Sequence, residues 1–282
     1  MTVIDAHHHV WDPSRAEYAW MTDRLAPVRR RFDLEDLRPL LAVAGVDRTV
    51  LVQTRSSREE TAEFLALAAP GSPVVGVVGW ADLTGPDVAD AIASLRQGSG
   101  GSRLVGIRHQ VHDEPDPRWL ERANVVRGLR AVEAAGLAYD LLVRARELPS
   151  ALTVARSLPD LRFVIDHAAK PPLAAGDLGE WRSRIVPLAA LPNVACKLSG
   201  LVTEADWSSW TPGDLEPAVE VVLEAFGPDR TMFGSDWPVC LLAADYPTVV
   251  ETLKQLTVEL SIPERAALFG GTAAAWYGLA LE

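Results

Sequence analysis

The sequence predicts an α/β fold of the (β/α)8 TIM-barrel type, built as a single domain over residues 1–282 with an additional C-terminal helix. Eight short runs rich in β-branched residues alternate with helical patterns, and reactive polar residues stand where those runs end. A barrel of this type needs about 250 residues. A doubly wound open sheet shows the same alternation, but the count of eight and the placement of the polar residues favour the barrel.

The eight predicted strands are short apolar runs bounded by turn-forming residues. Each is followed by a segment long enough for a helix, as parallel neighbouring strands require. They are Val3–His7, Thr49–Thr54, Val74–Trp80, Leu104–His109, Ala138–Val143, Arg162–His167, Val194–Ser199 and Thr231–Ser235.

Four helices have clear end signals. One spans about Leu34–Ala44 and ends at Gly45. Another lies within Thr211–Gly227, which opens with a capping threonine and a proline and closes with a glycine. Asp245 begins the last barrel helix. A further helix over about Pro263–Tyr277 is the predicted C-terminal addition.

Composition excludes several classes of function. Hydrophobic residues make up 48% of the chain, enough for a large core, and the formal net charge is −11. Because such a surface repels phosphate groups, we expect neither nucleic acid nor a membrane as a partner. There is no apolar run of about 18 residues and no leader-like N-terminus.

Cys196 and Cys240 form no CxxC pattern, which is typical of reduced thiols in a reducing compartment. With the absence of leader and membrane signals, this predicts a cytoplasmic protein. The sequence does not determine the oligomeric state, and a homo-oligomer is compatible with it.

Polar residues that are costly to bury end the predicted strands. Catalytic groups of a barrel project from the carboxyl ends of its strands, so these residues are candidates for one shared site. They are the segment Asp5–His9, Arg108, His109, Tyr139, Asp140, Asp166, His167, Lys197, Ser235 and Asp236.

The first strand carries a cluster of three histidines. Side chains alternate along a strand, so we expect Asp5, His7 and His9 on one face and His8 on the other. Two imidazoles spaced two residues apart can converge on one ion or on one substrate atom. His8 is therefore not expected to be a ligand.

A third group from another strand would complete a three-ligand site with an open position. His167 and Asp236 are the candidates for this group. The alternative is that His7 and His9 form a hydrogen-bonded structural pair. The combination of four such residues at strand ends favours the functional interpretation.

Three segments resemble the amidohydrolase superfamily. Asp5–His9 resembles the HxH motif of that family's first strand, and Asp166–Pro171 resembles its histidine-containing sixth strand. Gly234–Pro238 looks like the last strand with its aspartate. The HxH pattern alone is weakly specific, but the ordered set of motifs is highly specific.

Three further segments narrow the resemblance to sugar-lactone hydrolases of the amidohydrolase-2 branch. They are Gly106–Gln110, Cys196–Glu204 and Phe233–Cys240. The resemblance covers nearly the whole chain. It implies a hydrolase that opens an aldono-1,5-lactone, with L-fucono-1,5-lactone as the expected substrate, to the aldonic acid in carbohydrate catabolism.

The resemblance also implies roles for individual residues. Asp236 would be the general acid/base that activates water and then protonates the ring oxygen. The remaining catalytic residues would be His7, His9 and His167, which together with Arg108 are candidates for stabilising the oxyanion.

Metal dependence stays open at this point. Two-metal relatives use a fourth-strand lysine, and neither that lysine nor a histidine on the fifth strand is present. A mononuclear Zn²⁺ or Mn²⁺ on His7, His9 and Asp236, with His167 as a further candidate ligand, is chemically reasonable. The alternative is hydrolysis without any required cofactor, because a lactone is an activated ester and is easier to hydrolyse than an amide.

The predicted substrate-binding residues follow the strands. They are Gln53, Trp80, Arg108, His109, Tyr139, Lys197 and Trp237. Neutral hydrogen-bond donors outnumber cations among these residues, which favours a neutral sugar lactone as substrate. Trp207 and Trp210 could form a lid over the site. Alternatively, Arg108 or Lys197 could form a structural salt bridge with Asp140 or Glu204.

Two other functions are compatible with the same scaffold. The first is an enzyme of the same branch that acts on another lactone, an amide or a carboxylated substrate, as a hydrolase or a decarboxylase. The second is a catalytically silent barrel that binds a sugar or a metal. Asp236 argues against the second, because binding alone needs no acid/base group.

Overall fold

The computed structural model describes residues 2–280, and within them eight parallel strands form the predicted barrel. Each strand is hydrogen-bonded to the next one along the chain. The strands are β1 (Ile4–His8), β2 (Arg48–Val52), β3 (Val74–Gly79), β4 (Leu104–His109), β5 (Ala138–Leu141), β6 (Phe163–Ile165), β7 (Val194–Leu198) and β8 (Thr231–Phe233). Four of them, β2, β5, β6 and β8, end two residues earlier than predicted, because the last two residues of each predicted strand already belong to the loops above the barrel.

Helices cover the outside of the barrel. They are α1 (Leu34–Ala44), α2 (Arg58–Leu67), α3 (Val88–Gln97), α4 (Ala123–Ala134), α5 (Leu148–Ser157), α6 (Gly179–Ala189), α7 (Leu201–Glu204), α8 (Pro212–Phe226), α9 (Tyr246–Leu256), α10 (Ile262–Ala266) and α11 (Thr272–Tyr277). The end signals of the sequence act as expected. Asp33 and Asp36 form a capping box on α1, which ends at Gly45 with φ 69°.

The barrel closes through two backbone hydrogen bonds between the end of β1 and the segment that follows β8. The His9 N–H donates to the Trp237 carbonyl at 2.7 Å, and the Asp236 N–H donates to the His7 carbonyl at 2.8 Å. Closure thus brings the first and the last strand ends together, with the histidines of one beside the aspartate of the other.

The C-terminal segment packs against the opposite end of the barrel. Tyr277 of α11 is buried among inward-facing strand residues such as Val50, Val164 and Met232. The additional C-terminal helix is confirmed, although a π-helical turn over Ala267–Gly271 divides the predicted single helix into α10 and α11. Within this turn the backbone of Gly270 approaches Thr2 closely. A Cβ atom on residue 270 would lie 2.2 Å from the carbonyl oxygen of Thr2.

Two general expectations can be compared with the structure. Within residues 2–280, no helix combines the length and the apolarity that a membrane crossing requires. Cys196 and Cys240 are buried free thiols. Burial raises the pKa of both thiols, which therefore stay protonated at neutral pH.

Candidate active site

The alternation of side chains in β1 is interrupted by a β-bulge between Asp5 and His8. The Asp5 carboxylate accepts hydrogen bonds from Ser235 Oγ at 2.6 Å and from the Tyr246 hydroxyl of α9 at 3.1 Å. His7, in contrast, points into the barrel. The expectation that Asp5 shares a face with His7 is therefore wrong, because the extra residue of the bulge changes the alternation.

The structure brings four predicted catalytic side chains together at the carboxyl end of the barrel. His7 Nε2 and His9 Nε2 lie 3.2 Å apart. Asp236 Oδ1 is 3.3 Å from His9 Nε2, 3.7 Å from His7 Nε2 and 3.9 Å from His167 Nε2. One carboxylate oxygen therefore faces three imidazoles.

Hydrogen bonds on the far side of each ring orient His7 and His9. His9 Nδ1 lies 2.7 Å from the Val52 carbonyl, to which it donates, so Nε2 carries the lone pair. His7 Nδ1 lies 3.2 Å from Asp166 Oδ1, and its Nε2 faces an Arg108 N–H at 3.3 Å. Burial holds the pKa of His7 well below its ordinary value, so the ring is neutral.

His167 lies in a left-handed turn that the predicted strand did not anticipate. The four residues from His167 to Lys170 have φ values of 54°, 48°, 57° and 56°, and none is glycine. Such a turn costs about 1–2 kcal/mol per residue. The Trp181 indole N–H secures it by donating to the Ala168 carbonyl at 2.6 Å. His167 Nδ1 lies 2.9 Å from Ser199 Oγ.

A buried network of charges lies below these side chains. Lys197 Nζ is 2.6 Å from Asp140 Oδ2, 2.9 Å from Asp166 Oδ1 and 3.2 Å from His7 Nδ1. Arg108 binds the other oxygen of Asp166 at 2.9 Å. Lys197 is fully buried and forms a structural ion pair with Asp140, which was the alternative to its predicted contact with substrate.

The environment keeps the carboxylates nearest to the histidines ionised. Burial alone would raise the pKa of Asp236, but the neighbouring side chains, His167 first and then His9, outweigh it and hold the pKa below its ordinary value. Burial acts on Asp166 in the same way, and Lys197 and His7 hold its pKa well below the usual range. Asp236 is therefore a base at neutral pH.

A cavity of about 830 Å³ opens above this cluster. His9, Arg108, His167 and Asp236 belong to its lining. Its other side chains include Trp20, Gln110, Arg144, Lys170, Glu204 and Trp207. The volume lies within the range of small-molecule sites.

Gln53 lies below the cavity and orients Arg108. The second terminal nitrogen of Arg108 donates to the Gln53 carbonyl and, at 3.1 Å, to Gln53 Oε1. Gln53 is fully buried, so it supports the site through Arg108 and does not line the cavity.

Four residues predicted to contact substrate lie outside the lining of this cavity, namely Trp80, His109, Tyr139 and Trp237. Because Arg108 of β4 points inward, its neighbour His109 points outward, where it accepts from the Trp80 indole at 3.2 Å. Tyr139 is likewise turned away by its inward neighbour Asp140 and packs against a phenylalanine. Trp237 is buried and packs edge-on against a second phenylalanine.

Several cavity residues were not predicted. Lys170 lies in the left-handed turn after β6, Glu204 ends the short helix α7 after β7, and Trp20 lies in the long segment after β1. Lys170 and Glu204 belong to segments that carry the family resemblance, which was the available signal. Loop residues carry no periodic pattern, so the direction of their side chains could not be derived.

The donor atoms of the cluster fit a single divalent ion. His7, His9 and Asp236 form a group of ligand atoms separated by 3.2, 3.3 and 3.7 Å. Tetrahedral ligands with bonds of about 2.1 Å are about 3.4 Å apart. A second possible group includes Asp166, but the Lys197 ammonium already provides the cation there. The first group is therefore the better metal site.

Comparisons with known proteins show the family of the chain. The chain matches the family described as amidohydrolase over residues 4–279. It is 41% identical over 287 residues to an L-fucono-1,5-lactonase of Burkholderia multivorans, covering 98% of this chain and 96% of the relative. It is 42% identical over 281 residues to the L-fucono-1,5-lactonase of Burkholderia ambifaria, covering 97% and 94%.

A solved structure matches the chain at an identity similar to that of the two lactonases. The crystal structure of an amidohydrolase from Burkholderia multivorans with bound zinc is 40% identical, and the match covers 99% of this chain and 100% of that chain. The TM-score is 0.94. On the full-length family match and these identities, the chain belongs to the amidohydrolase family.

Proposed function

We propose that this protein is a sugar lactonase that hydrolyses an aldono-1,5-lactone, specifically L-fucono-1,5-lactone, to the aldonic acid. The observation that carries the proposal is an ionised carboxylate, Asp236, in a cavity of small-molecule size whose lining also includes the imidazole of His167 and the guanidinium of Arg108. The two relatives at 41% and 42% identity, both L-fucono-1,5-lactonases, support this substrate.

In the proposed mechanism, Asp236 moves one proton in two steps. Its carboxylate takes a proton from water as the water oxygen bonds to the lactone carbonyl carbon. The bond between that carbon and the ring oxygen then breaks, and Asp236 returns the proton to the ring oxygen. The product is an open-chain acid with a new hydroxyl group, and Asp236 is again ionised.

Arg108 and His167 would stabilise the charge that develops on the carbonyl oxygen. Both side chains belong to the lining of the cavity that holds Asp236. Arg108 is held in place by Asp166 and Gln53, so its position costs no reorganisation during the reaction. Removing one such donor typically costs about 10²- to 10³-fold in kcat.

His7, His9 and Asp236 would hold a divalent ion, for which Zn²⁺ and Mn²⁺ are the candidates. When bound, such an ion polarises a carbonyl and lowers the pKa of water. The neutral state of His7 suits this role, since a protonated imidazole cannot bind a metal.

The proposed function is tested with a panel of aldonolactones and a pH indicator. We expect acid release from L-fucono-1,5-lactone and slower release from lactones of other sugars. Metal is removed by dialysis against a chelator, and Zn²⁺ or Mn²⁺ is then added back. We expect chelation to lower kcat by at least about 10²-fold, since a bound ion stabilises transition-state charge by several kcal/mol, and addition of the metal to restore it. Acid release from none of the lactones contradicts the proposal, and full activity of metal-free protein contradicts the metal site alone.

Gly200 provides a further test of the site geometry. Its φ is 60°, and a Cβ there would lie 2.7 Å from His167 Nδ1 and 2.9 Å from Asp236 Oδ2. We expect Gly200→Ala to lower kcat/KM about 100-fold, because small displacements of catalytic groups have effects of this size. Gly136→Ala is the matched control, with φ 69° and no atom within 4 Å of the added methyl group. Equal activity of both variants would show that the site tolerates the displacement.

Other functions on the same scaffold are not favoured. A silent binding barrel would not need an ionised Asp236 at the floor of the cavity. An amide substrate or a decarboxylation finds no support in the relatives reported above. A cytoplasmic location, a role in carbohydrate catabolism and the lack of nucleic-acid or membrane partners stay predictions from the sequence.

A further inference from the structure

Lys170 and Glu204 form an ion pair on the wall of the cavity, outside the reacting cluster. Lys170 Nζ lies 2.8 Å from Glu204 Oε1, and the two side chains are 16% and 15% exposed. Both residues line the cavity that also holds Asp236. The mechanism proposed above uses neither of them, although taking two charges partly out of water has a desolvation cost.

The backbone that presents this pair is strained. Lys170 is the last residue of the left-handed turn, with φ 56°, and its N–H donates to the His167 carbonyl at 2.8 Å. The same turn therefore directs both His167 and Lys170 into the cavity. Strain of this kind persists where the surrounding structure enforces it, and it is concentrated at functional sites.

The hydrogen-bonding capacity of the pair is only partly used. An ammonium group has three donors, and Glu204 Oε1 accepts one of them. The second carboxylate oxygen of Glu204 is 3.9 Å from Arg144, beyond hydrogen-bond distance. The pair thus offers free donors next to a free acceptor, and adjacent sugar hydroxyls both donate and accept.

Aromatic side chains complete the surroundings of the pair. Trp20 and Trp207 line the same cavity, and their indole N–H groups already donate to backbone carbonyls at 3.0 Å and 2.8 Å. They therefore add apolar ring surface, which suits the C–H face of a sugar. Arg24 lies 4.2 Å from the centroid of the Trp207 ring and links the loops after β1 and β7 above the cavity.

We propose that Lys170 and Glu204 are specificity-determining residues that bind two adjacent hydroxyl groups of the sugar lactone. This inference rests on the proposed function and deepens it. Lys170 donates to one hydroxyl oxygen, and Glu204 accepts from the neighbouring hydroxyl. Lys170 and Glu204 thereby distinguish a lactone that carries several hydroxyl groups from a lactone that has none. Asp236 acts on the ester bond, which is present in both kinds of lactone.

The test compares L-fucono-1,5-lactone with δ-valerolactone, which has the same six-membered lactone ring and no hydroxyl groups. We expect Lys170→Met to lower kcat/KM for the sugar lactone about 10- to 100-fold, since hydrogen bonds to charged groups have effects of this size. For δ-valerolactone we expect less than about a 3-fold change. Glu204→Gln, which preserves shape, is the second variant, and thermal unfolding of both variants shows that they are folded at the assay temperature.

The outcomes separate this inference from the proposed function. A selective loss on the sugar lactone with either variant supports hydroxyl recognition. Equal losses of activity on both lactones, or no loss on either, contradict hydroxyl recognition by Lys170 and Glu204. In both cases hydrolysis of the sugar lactone by the wild-type enzyme still supports the proposed function. If the wild-type enzyme hydrolyses neither lactone, the proposed function fails and the inference fails with it.

Discussion

Asp236→Asn is expected to lower kcat for lactone hydrolysis by about 10²- to 10⁴-fold, the range typical of general acid–base groups. Asparagine has nearly the same shape, but its amide cannot take a proton from water or return one to the ring oxygen. It also offers a weaker oxygen to a metal held by His7 and His9. The measurement is steady-state kinetics on L-fucono-1,5-lactone, combined with the metal content of the purified variant.

A surface carboxylate provides the matched control for this change. Glu216 of α8 is exposed, so Glu216→Gln makes the same chemical change away from the cavity and should preserve wild-type kcat. Near wild-type turnover by Asp236→Asn would show that another group is the base. Loss of activity with full metal content would assign the effect to proton transfer.

Lys197→Met is expected to lower the free energy of unfolding by about 3–5 kcal/mol, the size found when one partner of a buried ion pair is removed. Without the ammonium, the carboxylates of Asp140 and Asp166 lie fully buried beside each other with one cation, Arg108, remaining. Urea unfolding monitored by tryptophan fluorescence at pH 8 measures the loss.

The pH dependence of this loss is a second readout. Burial already raises the pKa of Asp140 to about 6, against the opposing effect of Lys197. Because the folded-state pKa lies above the unfolded value, the folded protein binds this proton more tightly, and protonation relieves the unpaired charge. The difference between wild type and variant should therefore be smaller at pH 5 than at pH 8.

Lys254→Met is the matched control for the buried lysine. Lys254 forms an exposed pair with Glu251 at 3.8 Å, and such pairs contribute about 0–1 kcal/mol. A loss no larger for Lys197→Met than for Lys254→Met would contradict the structural role of the network. A constant difference across pH would show that Asp140 does not carry the unpaired charge.

The barrel could be predicted because its signals are local. Strand residues recur in runs, and helix ends are marked by residues whose effect is confined to one turn, such as Asp33 and Gly45 of α1. The division of the C-terminal helix was not predictable in this way. The break includes Gly270, whose close approach to Thr2 is a contact between distant parts of the chain.

The proximity of His7, His9, His167 and Asp236 could also be predicted, since the carboxyl ends of all barrel strands meet at one end. Their chemical roles stay predictions. The bulge in β1 could not be derived, and it turns Asp5 outward while the neighbouring His7 points inward. A single inserted residue changes the direction of a side chain without changing the pattern of residue types.

The directions of the predicted substrate-binding side chains could not be derived from the sequence. Arg108 and His109 are neighbours on one strand, as are Tyr139 and Asp140, and only one of each pair can point inward. The sequence contains both residues of each pair, and it does not indicate which of the two points into the barrel. Lys170 depends on a left-handed turn that ordinary residues rarely adopt, so no propensity predicts it.

The sequence by itself determined the class of fold, the number of strands and the four side chains that meet at the strand ends. These depend on periodicity and on a topology in which all strand ends coincide. Only the tertiary structure decided that Lys197 is bound to Asp140 and Asp166 below the cavity, and that Lys170 and Glu204 line it. The reason is physical: the direction of a side chain depends on bulges, strand phase and charges brought in by distant segments, which no local pattern encodes.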